Sequence, residues 1–151
     1  MIEKAQNNEK EIKTEWRNKG AETRKTVGLL AGGIGGMTYL MFGLTQIKIS
    51  LGHTFPSYSW TVGITTLLIG IISMVGTLVG ARNVKTGGVL NLVSIPTALV
   101  IGVVLYVMGG YIYSYYNFIP FIMVIVFPLP LLHSFHVISG GILCLTGSDI
   151  R

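Results

Sequence analysis

The sequence predicts an all-α membrane protein: a four-transmembrane-helix antiparallel bundle, preceded by a charged, amphipathic N-terminal helix. Three observations predict it. Half of the 151 residues are apolar and only 11% are charged, whereas soluble domains carry about 25%; the mean hydropathy is +0.64. The acidic residues sit at the ends, with Glu3, Glu9, Glu11, Glu15 and Glu22 at one, Asp149 at the other and none between. Four apolar runs, at about 26–47, 61–81, 86–109 and 119–146, each reach the approximately 20 residues a helix needs to cross hydrocarbon. A water-soluble fold would need polar surface along that stretch, so the solvent there is lipid.

Residues 1–25 form a charged cytoplasmic segment. Charges four apart, as in Glu9–Lys13 and Glu15–Lys19, favour a solvated helix, and Gly20 offers a hinge. Trp16, the only large aromatic there, reads either as a headgroup anchor or as a contact for a partner subunit. The net charge of +5 does not point to nucleic acid. The seven basic residues before position 26 alternate with five glutamates, which leaves the weak positive bias suited to an anionic membrane face. The first apolar run lies behind this segment and is long enough to span, so no cleavable leader is expected.

Short connections make neighbouring spans antiparallel. With the N-terminus inside, the inner side carries ten basic residues, including Arg82, Lys85 and Arg151, against Lys48 alone outside. That imbalance places both termini, including the tail 148–151, on the cytoplasmic side of a multi-pass cell-membrane protein. The first outer loop, 48–60, holds His53, read as solvated. The second is crowded with Tyr111, Tyr113, Tyr115, Tyr116 and Phe118, an interfacial aromatic belt or else a docking surface for another chain.

Small residues fall in helical register. The spans align Gly28, Gly32, Gly36 and Gly43; Gly63, Thr66, Gly70, Ser73, Thr77 and Gly80; Gly87, Asn91, Ser94, Ala98 and Gly102; and His133, His136, Gly140, Cys144 and Gly147. Lipid gives no hydrophobic drive between helices, so close backbone approach must hold them together, and small residues permit it. Asn91 reads as interhelical glue, and the large Leu, Ile, Val and Phe side chains face lipid or partner subunits. A glycine-lined pore made by several copies is the alternative. The run GGIGG at 32–36 lies inside a span, without the preceding strand or the Lys-Ser/Thr ending of a phosphate loop.

His133 and His136 are the ionisable side chains deep in the spans, three residues apart and so on one helix face. Pro128 and Pro130, one turn earlier, each remove a backbone donor and predict a kink. A kinked, histidine-bearing helix could bind a metal, ligate haem or relay protons. Against this, neutral imidazole can be satisfied by hydroxyls at matching depth (Ser73, Ser94 and Thr97), and a metal would want a third ligand. Cys144, the sole cysteine, excludes an internal disulfide.

The Gly-punctuated stretches KTGGVLNLVSIPTALVIGVVLYV and SGGILCLTG resemble small prokaryotic four-span proteins of uncharacterised function. The resemblance covers most of the membrane region and implies the four-helix architecture without implying an activity. The cysteine-bearing outer domain of tetraspanins and claudins is absent. The expectation is a non-catalytic accessory or structural subunit of a larger membrane complex, with lipid and other membrane subunits as partners and no cofactor of its own. The alternatives are a small oligomeric channel or transporter, and a redox or metal-binding subunit that shares a haem or metal with a partner through His133 and His136.

Overall fold

A computed structural model describes residues 2–51, 58–108 and 132–148, together with residues 119, 120, 122, 123 and 125. Among the described residues the chain is helical, without strands. Four helices have defined bounds: α1 (Ile2–Leu51), α2 (Tyr58–Arg82), α3 (Val84–Met108) and α4 (Leu132–Ser148). The described residues between 119 and 125 are helical as well.

The charged segment and the first apolar run are one continuous helix of 50 residues, on the order of 75 Å long. The helix runs through Gly20, and a Cβ there would meet nothing within 4 Å. With no neighbour to bend it, the backbone keeps its own hydrogen-bond ladder across the change from charged to apolar side chains. Two ion pairs brace the charged part, Lys13–Glu9 at 2.7 Å and Lys19–Glu15 at 2.8 Å. Both are well exposed and contribute only tenths of a kcal/mol each, about 0.3–0.5.

Three helices, α1, α2 and α3, are long and apolar enough to cross a membrane. Hydroxyls inside them are satisfied mostly by their own helix. Thr38 donates to Ile34, Thr45 to Met41, Thr65 to Thr61 and Thr66 to Val62, all at 2.8–3.0 Å. This back-bonding lets threonine sit in an apolar helix without an orphaned donor. Helix α4 is shorter, at 17 residues, and does not by itself reach spanning length. Of the run expected to be a single helix over 119–146, residues 119, 120, 122, 123 and 125 are helical and α4 begins at Leu132; Pro128 and Pro130, expected to kink it, lie outside the described residues.

Neighbouring helices run in opposite directions. Along α1 and α2 the contacts pair Leu29 with Gly80, Gly36 with Ser73 and Met74, and Gly43 with Gly63 and Leu67. Gly28 and Gly32 of α1 meet Gly140 of α4, while Gly147 meets Ala21 and Lys25. Gly76 and Gly80 of α2 meet Gly87 of α3, and Gly88 of α3 meets Gly141 of α4. Small residues thus make the close contacts along the whole length of α1 and α2, and a cluster of large side chains that includes Tyr39, Ile69, Ile95, Tyr106 and Val137 packs beside them.

A single non-helical residue, Asn83, separates α2 from α3. Its N–H donates to the Val79 carbonyl at 2.8 Å, closing α2, while its side-chain oxygen accepts from the Thr86 N–H at 3.2 Å. The second contact is an N-cap for α3.

The surface reverses the pattern of a soluble protein. Leu78 is 69% exposed, Val100 66% and Phe135 67%, whereas Ser73, Asn91 and Ser94 are fully buried. Large apolar side chains outside and small polar ones inside suit an apolar solvent.

Candidate functional site

Buried polar side chains bond from helix to helix at two levels. At the first, Gly32, Ser73 and Asn91 bring α1, α2 and α3 together. The Ser73 hydroxyl lies 3.0 Å from the Gly32 carbonyl and 2.9 Å from Asn91 Oδ1. Serine has one hydroxyl proton and cannot serve two acceptors at once. In the same arrangement Asn91 Nδ2 is buried without a partner. Turning the amide by half a rotation, a choice hydrogen bonding must decide, settles both faults. Nδ2 then donates to Ser73 Oγ, and Ser73 gives its proton to the Gly32 carbonyl. The amide oxygen comes to rest against the Cα of Gly32, where a Cβ would collide with Asn91. A Cα–H···O contact of the kind common between helices fits there, and we assign the amide in this sense. Glycine at 32 is thereby explained, because only a missing side chain lets Asn91 approach the backbone of α1.

Gly76 and Gly87 serve the same contact from the other side. A Cβ on Gly76 would lie 2.9 Å from the Asn91 amide atom that bonds Ser73, and one on Gly87 would fall on the backbone of Gly80 and Gly76. Ser94 donates to the Asn91 carbonyl at 2.7 Å, within α3.

The second level joins α1, α4 and the helical residues before α4. The Tyr39 hydroxyl donates to the Ile125 carbonyl at 3.0 Å and lies 2.5 Å from Ser134 Oγ. Since the tyrosine proton goes to the carbonyl, Ser134 is the donor in the second bond. Tyr39 is fully buried and Ser134 nearly so. Tyr39 therefore ties the first turn of α4 to the helical residues that precede the two prolines.

The structure separates the residues that the sequence singles out. Gly28, Gly32, Gly36, Gly70, Ser73, Asn91, Ser94 and Gly140 are all buried between helices. Of these, Gly32, Ser73 and Asn91 meet directly, Gly36 meets Gly70, and Gly28 and Gly32 meet Gly140. His136 is half-buried, and its ring meets Phe135 edge-on, with centroids 6.4 Å apart. His133 lies in the first turn of α4. Ser73 donates to the Gly32 carbonyl and Ser94 to the Asn91 carbonyl, while Thr97 is exposed. Among the described residues no group of three or more His, Cys, Asp or Glu could hold a metal ion. Cys144 is buried, its sulfur and backbone against Gly28. Trp16 is 73% exposed on α1. Tyr111, Tyr113, Tyr115 and Tyr116 lie outside the described residues.

Tyr39 and Ser134 escape the sequence reading. A signal for Tyr39 is present, since it stands three residues after Gly36 and four before Gly43, on the small-residue face where a large polar side chain needs a partner. Ser134 lies between the two histidines, which draw attention from it. Comparison with protein-family models, characterised proteins and solved structures returns no match for this chain.

Proposed function

We propose that this protein is a non-catalytic integral membrane protein, a structural or accessory subunit of a larger membrane complex. In this reading the four helices form an antiparallel bundle across the bilayer, with both termini cytoplasmic. The observation that carries the reading is the way the interior is closed. Gly28, Gly32 and Gly140 bring α1 and α4 into backbone contact, and Gly80 and Gly87 do the same for α2 and α3. Contacts this close leave no passage between those helix pairs at those heights, which argues against a substrate path through one copy. What stays uncovered is the outside: the apolar faces of the spans and the exposed positions 6–19 of α1. Such a shape suits a subunit that packs against others.

The test is to solubilise native membranes in a mild detergent, separate complexes on a native gel and identify co-migrating proteins by mass spectrometry. Stoichiometric larger subunits are expected. Migration with no other protein, together with ion or solute flux after reconstitution, overturns the proposal and favours an oligomeric channel.

A further inference from the structure

We infer that the N-terminal arm of α1 is a pairing surface for a second copy of this chain, the two arms lying parallel. The inference rests on the membrane-spanning reading above and concerns the part of α1 that no other described helix covers. Every position from 6 to 19 is exposed. Two of these carry large apolar side chains, Ile12 at 52% and Trp16 at 73% exposed.

Lipid does not account for them. Trp16 precedes the apolar run by ten residues, or about 15 Å of continuous helix at 1.5 Å per residue. The headgroup layer adds only about 5–7 Å beyond the hydrocarbon. Trp16 therefore stands clear of the bilayer, in water.

The face it occupies is specific. At about 3.6 residues per turn, Ile12 and Trp16 share the side of α1 that also bears Leu30, Ile34 and Met41, each more than half exposed. The stripe thus continues from the span into the arm, apolar in the span and again at Ile12 and Trp16, with Thr23 and, at its border, Lys19 and Thr26 between them. The charges flanking it are sorted by sign. Between Glu9 and Arg24, the edge on one side carries Lys13, Arg17 and Arg24. The edge on the other carries Glu11, Glu15 and Glu22, and all six are exposed.

That sorting identifies the occupant. Copies inserted into a membrane in the same sense have parallel arms. A two-fold axis along them then sets the basic edge of one against the acidic edge of the other, on both sides of the stripe. An antiparallel helix of the same kind would set like against like. Two charges lie close to the stripe, Glu9 and Lys19, where two copies would bring like charges together. Each is tied to a neighbour on its own helix, Glu9 to Lys13 and Lys19 to Glu15.

The test uses the full chain, purified and reconstituted into lipid vesicles. On a Cys144→Ser background, Ile12→Cys and Trp16→Cys are expected to give disulfide-linked dimers at least ten times faster than Asn18→Cys on the opposite face. Equal linking at all three positions, or none at Ile12→Cys and Trp16→Cys, overturns the inference. Charge variants test it without engineered cysteines. Chains carrying Lys13→Glu, Arg17→Glu and Arg24→Glu, and differently tagged chains carrying Glu11→Lys, Glu15→Lys and Glu22→Lys, should each fail to self-associate yet capture one another. Self-association undiminished in either set refutes the pairing. Both assays use the purified chain, so they fail or succeed independently of the co-migration test for other subunits.

Discussion

Replacing Gly140 by alanine puts a methyl group against the backbone of α1 where nothing can give way. The new Cβ would lie 2.5 Å from the Gly32 nitrogen, 2.7 Å from the Gly28 oxygen and 2.9 Å from the Gly32 Cα, whereas ordinary contact begins at 3.4 Å. A side chain in that position could swing aside; a helix backbone cannot. To remove the overlap, α4 must withdraw from α1 by roughly 1 Å, and a close-packed interior transmits such a shift. The same movement loosens Cys144 against Gly28, Gly147 against Ala21, and the bond between Ser134 and Tyr39. Overpacking of this kind costs about 2–3 kcal/mol, which for a chain of this length lowers the melting temperature by about 5–10 °C. The assay is thermal unfolding of the detergent-solubilised protein followed by circular dichroism, with Gly20→Ala as the control. At Gly20 a methyl group meets nothing within 4 Å, and alanine raises helix propensity by up to about 1 kcal/mol, so Tm should hold or rise. A Gly140→Ala protein that melts with the wild type, or a Gly20→Ala protein that falls as far, refutes the backbone-contact argument.

Tyr39→Phe removes the donor to the Ile125 carbonyl and the acceptor for Ser134. It should cost about 1 kcal/mol, and more than Ser134→Ala, which leaves the Ile125 bond intact; the reverse order of melting temperatures would count against the assigned donors. Ser73→Ala and Asn91→Ala should be non-additive, with a coupling of about 0.5–1.5 kcal/mol in a double-mutant cycle, whereas additive losses would mean the two side chains do not bond. Asn83→Ala should cost about 1 kcal/mol by removing the cap of α3, and Asn83→Gly only a few tenths. An Asn83→Ala protein as stable as the wild type would show that Thr86 does not depend on the side chain.

The three long spans are legible because apolar length is a property of composition alone, and a window of about 20 residues records it directly. The inward face is legible for a related reason. A stripe of small residues four apart repeats once per turn, so Gly28, Gly32 and Gly36 declare the side on which helices can touch. The continuity of α1 is harder to read. The change from charged to apolar side chains near residue 25 resembles a boundary, but the backbone ladder is indifferent to it. Tyr39 and Ser134 are 95 residues apart, and no local pattern joins them. The contact becomes visible only when α1 and α4 lie side by side. Asn91 is half legible: its polarity announces a partner, yet choosing Ser73 over other hydroxyls requires the register of α2 on α3.

The join at Asn83 bears on how the protein is made. One residue spans at most about 3.6 Å, so α2 and α3 have no slack with which to part. They meet from the first turn, with Gly80 seated on Gly87. In the membrane-spanning reading proposed above, the two segments are expected to enter the bilayer during synthesis as a single hairpin, turned at Asn83 between Arg82 and Lys85. Neither can be exchanged with its equivalent in a neighbouring molecule, and the orientation of one fixes the orientation of both.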